Sequence, residues 1–190
     1  MKKIFIINGN PKSHSLCRSL AMQYLAGTQS AGHETRLLNI ADFDPALTEK
    51  HAGSRPGVMG ISEVQQSIKW ADHLVFVYPN WWAMMPAALK GLLDSVLQAG
   101  FAFSFDLKSG VLSKLLRGKS ARLLITMDTP RWWYRLAFRN GGPVLMRRAV
   151  LAFCGVRTVG VSQFEPTYKA DSRLRERWLA KAYSLGCKAA

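Results

Sequence analysis

The sequence predicts an α/β fold: a three-layer sandwich in which a five-stranded parallel sheet carries helices on both faces. Three observations lead there. Short continuous apolar runs recur along the chain, as strands buried on both faces require. Between them lie longer stretches with apolar residues at helical spacing. Clusters of Gly, Pro, Asn and Ser separate the two kinds of segment. Strands that alternate with helices in this way make a parallel sheet. The 190 residues, with no internal repeat and no low-complexity tract, suit one domain without a linker.

Each element has its own signal. "KKIFIIN" is the first strand, and it stops at the turn formers of "NGNPKSHS". Ser15 is placed to cap the helix that follows, whose inner face carries Leu16, Leu20, Tyr24 and Leu25. "ETRLLNI" reads as the second strand, and "ADFDPALTEKHAGSRPG" as a polar loop. Residues 61–71 read as a helix, then "HLVFVYP" as the third strand, where Pro79 is expected to end the ladder. Pro86 suits the first turn of a helix whose core face is Leu89, Leu92, Leu93, Val96 and Leu97. "SARLLITM" is the fourth strand, residues 141–153 a helix and "GVRTVGVSQF" the fifth strand. The final helix, 171–186, has Leu174, Trp178, Ala182 and Leu185 as its apolar stripe.

Composition narrows the function classes. The N-terminal apolar run ends at Asn8, too short for a signal-peptide core, and no small-residue cleavage site follows. The longest uncharged segment, 73–89, is interrupted by two prolines, and a span needs about 20 apolar residues. Cys17, Cys154 and Cys187 have neither metal-binding nor disulfide-framework spacing, so reduced thiols and a cytoplasmic location are expected, and no metal. Residues 1–106 hold 9 Lys and Arg against 8 Asp and Glu, whereas residues 107–190 hold 17 against 4. So lopsided a charge creates a field over part of the surface. It suits an anionic partner (a phosphorylated cofactor, an anionic membrane or nucleic acid) or a plainly solvated basic surface.

In a doubly wound sheet ligands bind beyond the carboxyl ends of the strands. The loops after strands one, three and four therefore carry the candidate chemistry. In the first loop, Asn10, Lys12, Ser13, Ser15, Leu16 and Cys17 lead into a helix N-terminus, which favours phosphate. It has neither the glycines of a dinucleotide fingerprint nor a Walker lysine. An N-capped helix with nothing bound fits it too. In the second, Pro79, Asn80, Trp81, Trp82 and Ala83 place two indoles at the rim, where they could flank a flat aromatic ligand, cover the sheet edge or form a subunit contact.

The stretch "YPNWWAMMPAALKGLLDSVLQAGFAF" resembles the signature of flavin-dependent NAD(P)H:quinone oxidoreductases of the flavodoxin-like superfamily. Pro79, Trp82, Pro86, Ala87, Leu89, Lys90, Gly91, Asp94, Val96 and the run 100–103 fit that pattern, as do Ser15–Leu16 in the first loop and "FCG" at 153–155. The resemblance implies strand order 2-1-3-4-5 and FMN, with FAD as the alternative, its phosphate in the first loop. It also implies NAD(P)H as donor, a quinone-like acceptor, a ping-pong cycle and a homodimer. The short 41–60 loop favours FMN over FAD. Where the family has Thr-Thr-Gly-Gly after the fourth strand, this chain has Thr126, Met127, Asp128, Thr129 and Pro130, whose backbone approaches a ring less freely. Tyr134 lies eight residues after Thr126, at the family's substrate-side tyrosine, and is the one catalytic candidate; a residue that only packs against Trp133 and supports the pocket wall fits the position equally. The four histidines fall in the first half of the chain; His14 is expected near the phosphate and the others at the surface or at caps.

A second class of function is kept beside the enzyme. "RWWYRLAFR" (131–139) puts Arg131, Arg135 and Arg139 on one helical face among aromatic residues. Such a stretch could lie on anionic lipid, and less readily on nucleic acid. A flavin-bearing regulatory subunit is also within the family's range.

Overall fold

The computed structural model describes residues 1–44, 58–106 and 109–189. Of the expected polar loop at 41–57, residues 45–57, His51 among them, lie outside the described residues.

Five strands form one parallel sheet: β1 (Lys3–Asn8), β2 (Glu34–Asn39), β3 (His73–Pro79), β6 (Ser120–Thr126) and β7 (Arg157–Phe164), ordered β2-β1-β3-β6-β7. An antiparallel pair, β4 (Phe103–Phe105) with β5 (Leu112–Lys114), stands outside this sheet and was not expected. It moves the sequence-expected fourth and fifth strands to β6 and β7. The helices are α1 (Leu16–Ser30), α2 (Ile61–Trp70), α3 (Ala87–Val96), α4 (Arg131–Phe138), α5 (Gly141–Leu145), α6 (Ala152–Cys154) and α7 (Ser172–Lys188). A π-helical stretch, Met146–Leu151, joins α5 to α6.

The continuous apolar runs are explained by two cores, because successive strand residues point to opposite faces. From β1, Ile4 and Ile6 join Leu20 and Tyr24 of α1 and Trp178 and Ala182 of α7. Phe5 and Ile7 join Val64 and Ile68 of α2 and Leu89 and Leu92 of α3 on the other side. All four β1 side chains are fully buried. On the first face α1 and α7 touch backbone to backbone. A Cβ on Gly27 would collide with the carbonyl oxygen of Tyr183, and one on Gly186 with that of Tyr24.

Pro79 does not end the ladder. It pairs with Thr126, and the Asn80 amide still donates to the Thr126 carbonyl at 2.7 Å. Alternation turns the Pro79 nitrogen toward the side of β1, whose last ladder contact is the Gly9 amide on the Val77 carbonyl. The donor that proline lacks falls one step past that last contact, on the side away from β6, so the β3–β6 ladder is not interrupted.

His73 corrects another expectation. It is fully buried at the start of β3, with Nδ1 2.8 Å from Ser120 Oγ and Nε2 3.4 Å from Tyr24 Oη. Burial, reinforced by the charges of Arg122 and Lys2, lowers its pKa to about 4. It is a neutral structural histidine, not a surface one.

Candidate functional site

The carboxyl ends of β1, β3 and β6 bring the three candidate loops to one edge of the sheet. In the first, side-chain oxygens of two asparagines organise the turn: the Asn10 backbone amide donates to Asn8 Oδ1 (3.3 Å), and Asn10 Oδ1 accepts from the Lys12 backbone amide (3.0 Å). Ser15 caps α1 as expected, its Oγ accepting from the Arg18 amide at 3.2 Å. The first amides of the helix, those of Leu16 and Cys17, are among the donors a helix cannot satisfy internally. A cavity of 460 Å³ opens over this terminus, lined by Ser13, His14, Ser15, Leu16, Arg18, Ser19, Arg175 and Leu179. Hydroxyls, helix-end amides and two guanidinium groups are the donor set for a phosphate. His14 is among the residues that line this cavity.

Arg175 was invisible to sequence reasoning. It comes from α7, 160 positions from Ser15, and reaches the cavity because α7 packs against α1. Arg18 was legible only as the next residue of the first helical turn.

The Cys17 side chain points away from the cavity. Its thiol is 1% exposed and lies 3.2 Å from Thr126 Oγ1, and burial pushes its pKa up to about 11. Cys17 and Thr126 thus stitch α1 to the end of β6, and their side chains face each other rather than a ligand.

The second loop is a tight reversal. The Trp81 amide donates to the Met84 carbonyl (2.8 Å) and the Met84 amide to the Trp81 carbonyl (2.9 Å). Between them Trp82 and Ala83 both have positive φ, 51° and 63°. Two left-handed residues in succession are the geometry of a type I′ turn, normally Asn-Gly. A tryptophan there is strained by on the order of 1–3 kcal/mol, and this one is 99% exposed. Trp81, exposed, receives the Lys12 ammonium over its ring at 5.6 Å, which ties the second loop to the first.

Tyr134 holds the reversal from below. Its hydroxyl donates to the Ala83 carbonyl at 3.0 Å and accepts from the Gly142 amide at 3.0 Å. The residue is 1% exposed. The expected substrate-facing phenol is therefore committed to the protein on both its donor and acceptor sides. Of the two readings of Tyr134, this geometry favours the supporting one: α4 packs inward through Tyr134, whose hydroxyl bridges the Ala83 carbonyl and the Gly142 amide. Asn80, Trp82, Ala83, Thr129, Tyr134 and Phe138 line a cavity of 300 Å³. Phe138 was not among the expected site residues.

The third loop divides. Thr129 lines that cavity. Met127 does not: its side chain is buried in the α2–α3 core, its amide donates to the Phe164 carbonyl, and its carbonyl accepts from the Thr167 amide. Asp128 accepts from the Thr167 hydroxyl and the Tyr168 amide, so its carboxylate anchors the chain leaving β7. The expectation that Met127 and Asp128 contact a cofactor is corrected by these bonds: with no glycine pair to free the loop, β7 holds it.

The signature helix has a structural meaning. Leu89, Leu92, Leu93 and Val96 are its buried face, and Lys90 and Asp94 form an exposed ion pair of 2.6 Å one turn apart.

A family model described as "Flavodoxin-like fold" matches residues 2–184. An uncharacterized NAD(P)H oxidoreductase of Haemophilus influenzae is 27% identical over 184 residues, 93% of this chain and 90% of its own. Human ribosyldihydronicotinamide dehydrogenase (quinone) is 34% identical over 103 residues, 52% of this chain and 44% of its own, so the match spans less than half of that relative. An FMN-dependent NADH:quinone oxidoreductase of Desulfotalea psychrophila is 28% identical, covering 73% of this chain and 62% of its own. Among solved structures, one from Streptococcus mutans superposes with a TM-score of 0.80 at 27% identity, covering 98% of this chain and 99% of that one.

Proposed function

Because the chain belongs to the flavodoxin-like fold family and groups there with NAD(P)H oxidoreductases and quinone reductases, we propose that it is an FMN-dependent oxidoreductase that passes electrons from NAD(P)H to a quinone-like acceptor. The observation that carries this reading is the cavity at the N-terminus of α1. Its hydroxyls, helix-end amides and the Arg18 and Arg175 side chains fit the phosphate of FMN. The name of one relative specifies FMN, and none of those described specifies FAD.

The bound flavin supplies hydride and electron transfer. The protein binds, orients and excludes water. Ser13, Ser15 and the Leu16 and Cys17 amides hold the phosphate end, with Arg175 closing it from α7. Trp82, Thr129 and Phe138 wall the 300 Å³ cavity where a planar ring fits against Asn80 and Ala83. Tyr134 is a positioning residue: it keeps the Ala83 carbonyl, and with it the Trp82 backbone, in place. One cavity serves donor and acceptor in turn, which is the ping-pong order. Trp81, Trp82 and Met84, all more than a third exposed, form an apolar rim that suits a second copy of the chain, and the protein functions as a homodimer.

Denaturing the purified protein and chromatographing the released flavin tests the reading. FMN should be recovered, its absorbance in the native protein should bleach with NAD(P)H, and a quinone should restore it. A protein that stays colourless after incubation with FMN would end the proposal.

A further inference from the structure

We propose that α4 is a docking surface for an anionic lipid bilayer. The helix sends Tyr134 inward. At 100° per residue, Trp132 and Leu136 stand opposite it, and they are 68% and 70% exposed. Arg131 and Arg135 lie one turn apart along one flank and Arg139 follows at the C-cap, all exposed. Trp133, 47% exposed, lies on the other flank, its ring 5.8 Å from that of Trp132 and nearly perpendicular to it. The three arginines, Trp132 and Leu136 open onto a groove of 880 Å³ in which Glu165 is the lone carboxylate lining residue.

This is the chemistry of a segment that lies in a membrane interface. Indoles settle at headgroup depth, guanidinium groups reach lipid phosphates while their stems cover apolar surface, and an aliphatic side chain enters the acyl region. A nucleic acid would neutralise the arginines and leave Leu136 in water. A second copy docked on this face would set arginine against arginine, since α4 carries no acidic residue. Charge complementarity therefore selects an anionic surface. The same sign extends beyond the helix. Arg147 and Arg148 are exposed, as are Arg173, Arg175 and Arg177, so the attraction is felt before contact.

The docking goes beyond the redox reading and does not depend on it. It has a bearing on it, though: Phe138 of α4 also lines the 300 Å³ cavity, so a docked α4 would bring the mouth of that cavity to the lipid.

The test is co-sedimentation with phosphatidylserine–phosphatidylcholine vesicles against pure phosphatidylcholine vesicles, at low and high salt. The protein should sediment with the anionic vesicles and be released by salt. Tryptophan emission should be quenched by brominated lipid, a readout that needs no variant. At about fivefold per guanidinium, the triple variant Arg131→Gln/Arg135→Gln/Arg139→Gln should bind on the order of 100-fold more weakly. Trp132→Ser/Leu136→Ser should bind at least tenfold more weakly with its circular dichroism unchanged. Wild-type protein that ignores anionic vesicles at low salt, or binds neutral ones equally, overturns the proposal. So does a triple variant that binds like wild type. If vesicles are ignored while Trp132→Ser/Leu136→Ser turns a dimer into a monomer, a second copy covers α4. If vesicles are ignored while the protein retards DNA or RNA, the partner is a nucleic acid. Either result refutes the lipid assignment.

Discussion

Gly142→Ala sets two ordinary effects against each other, and the structure says which wins. In a helix interior alanine is favoured over glycine by roughly 0.5–1 kcal/mol, so at a site with free space the change should stabilise. At Gly142, however, the new Cβ would lie 2.6 Å from the Ala83 carbonyl oxygen, 3.0 Å from Tyr134 Oη and 3.3 Å from Asn80 Oδ1. The first of these is backbone, in a turn already held at positive φ, and cannot swing aside. Overpacking of this kind costs about 1–3 kcal/mol. Displacing the Ala83 carbonyl would also break the hydrogen bond from Tyr134, worth about 1 kcal/mol. The net expectation is a loss of about 2 kcal/mol, read as a urea midpoint about 1 M lower at an unchanged slope. FMN should bind more weakly in the same variant, because the disturbed turn carries Trp82. The neighbouring Gly141→Ala is the control: no atom lies within 4 Å of its added Cβ, so it should be neutral or stabilised by a few tenths of a kcal/mol. If Gly142→Ala proves as stable as Gly141→Ala, the clamp of Tyr134 and Gly142 on the Trp82–Ala83 turn is wrong.

Other outcomes follow from the same geometry. Ser15→Asp keeps an N-cap, since aspartate caps as well as serine, but places a negative charge at the proposed phosphate site. At an effective dielectric near 20 the repulsion is on the order of 2 kcal/mol, so FMN titrated by fluorescence should bind about 30-fold more weakly to a protein of unchanged melting temperature. Gly27→Ala, which drives a methyl into the Tyr183 carbonyl, should cost on the order of 3 kcal/mol in chemical unfolding; a loss below 1 kcal/mol would contradict the close α1–α7 contact. His73 makes stability depend on pH. Its folded pKa, about 4, lies below the ordinary 6.5, so between those values the unfolded chain binds the extra proton and stability falls as pH falls. The drop is roughly 3 kcal/mol, complete near pH 4 and absent above pH 7. A His73→Asn variant should lack this slope, and equal slopes in the two proteins would assign the pH dependence to other groups.

Much of this molecule was legible in its sequence, for identifiable reasons. β1 and β3 are buried on both sides and read as near-continuous apolar runs, and β6 and β7 are long enough, and rich enough in Val, Leu and Ile, to be read as strands beside them. Ser15 and the face Leu89–Leu92–Leu93–Val96 obey local rules that hold whatever surrounds them. The pair β4–β5 was missed because three residues, "FSF" or "LSK", cannot display a period. Met127 and Asp128 were misjudged because their partners Phe164, Thr167 and Tyr168 come from the end of β7, nearly forty residues on. Tyr134 was placed by an offset, and an offset counts residues without saying which way a helix faces. His73 reads as an ordinary strand-start histidine until α1 brings Tyr24 over it. Arg175 gave no local signal, for its place depends on two glycines, Gly27 and Gly186, that let one helix lie close upon another.

The thiol of Cys17, packed on Thr126 at the start of α1, has a chemical consequence. Quinones are electrophiles as well as oxidants, and they alkylate thiolates by conjugate addition. With a pKa of about 11, Cys17 is ionised in only about one molecule in ten thousand at neutral pH, and it is the thiolate that reacts. Cys154, also buried, has its pKa raised by desolvation as well. If the quinone-like acceptors proposed above are its substrates, the protein keeps the nucleophile nearest its candidate cofactor site both out of reach and protonated. Inactivation by a quinone should begin, if anywhere, at the partly exposed Cys187 near the C-terminal end of α7.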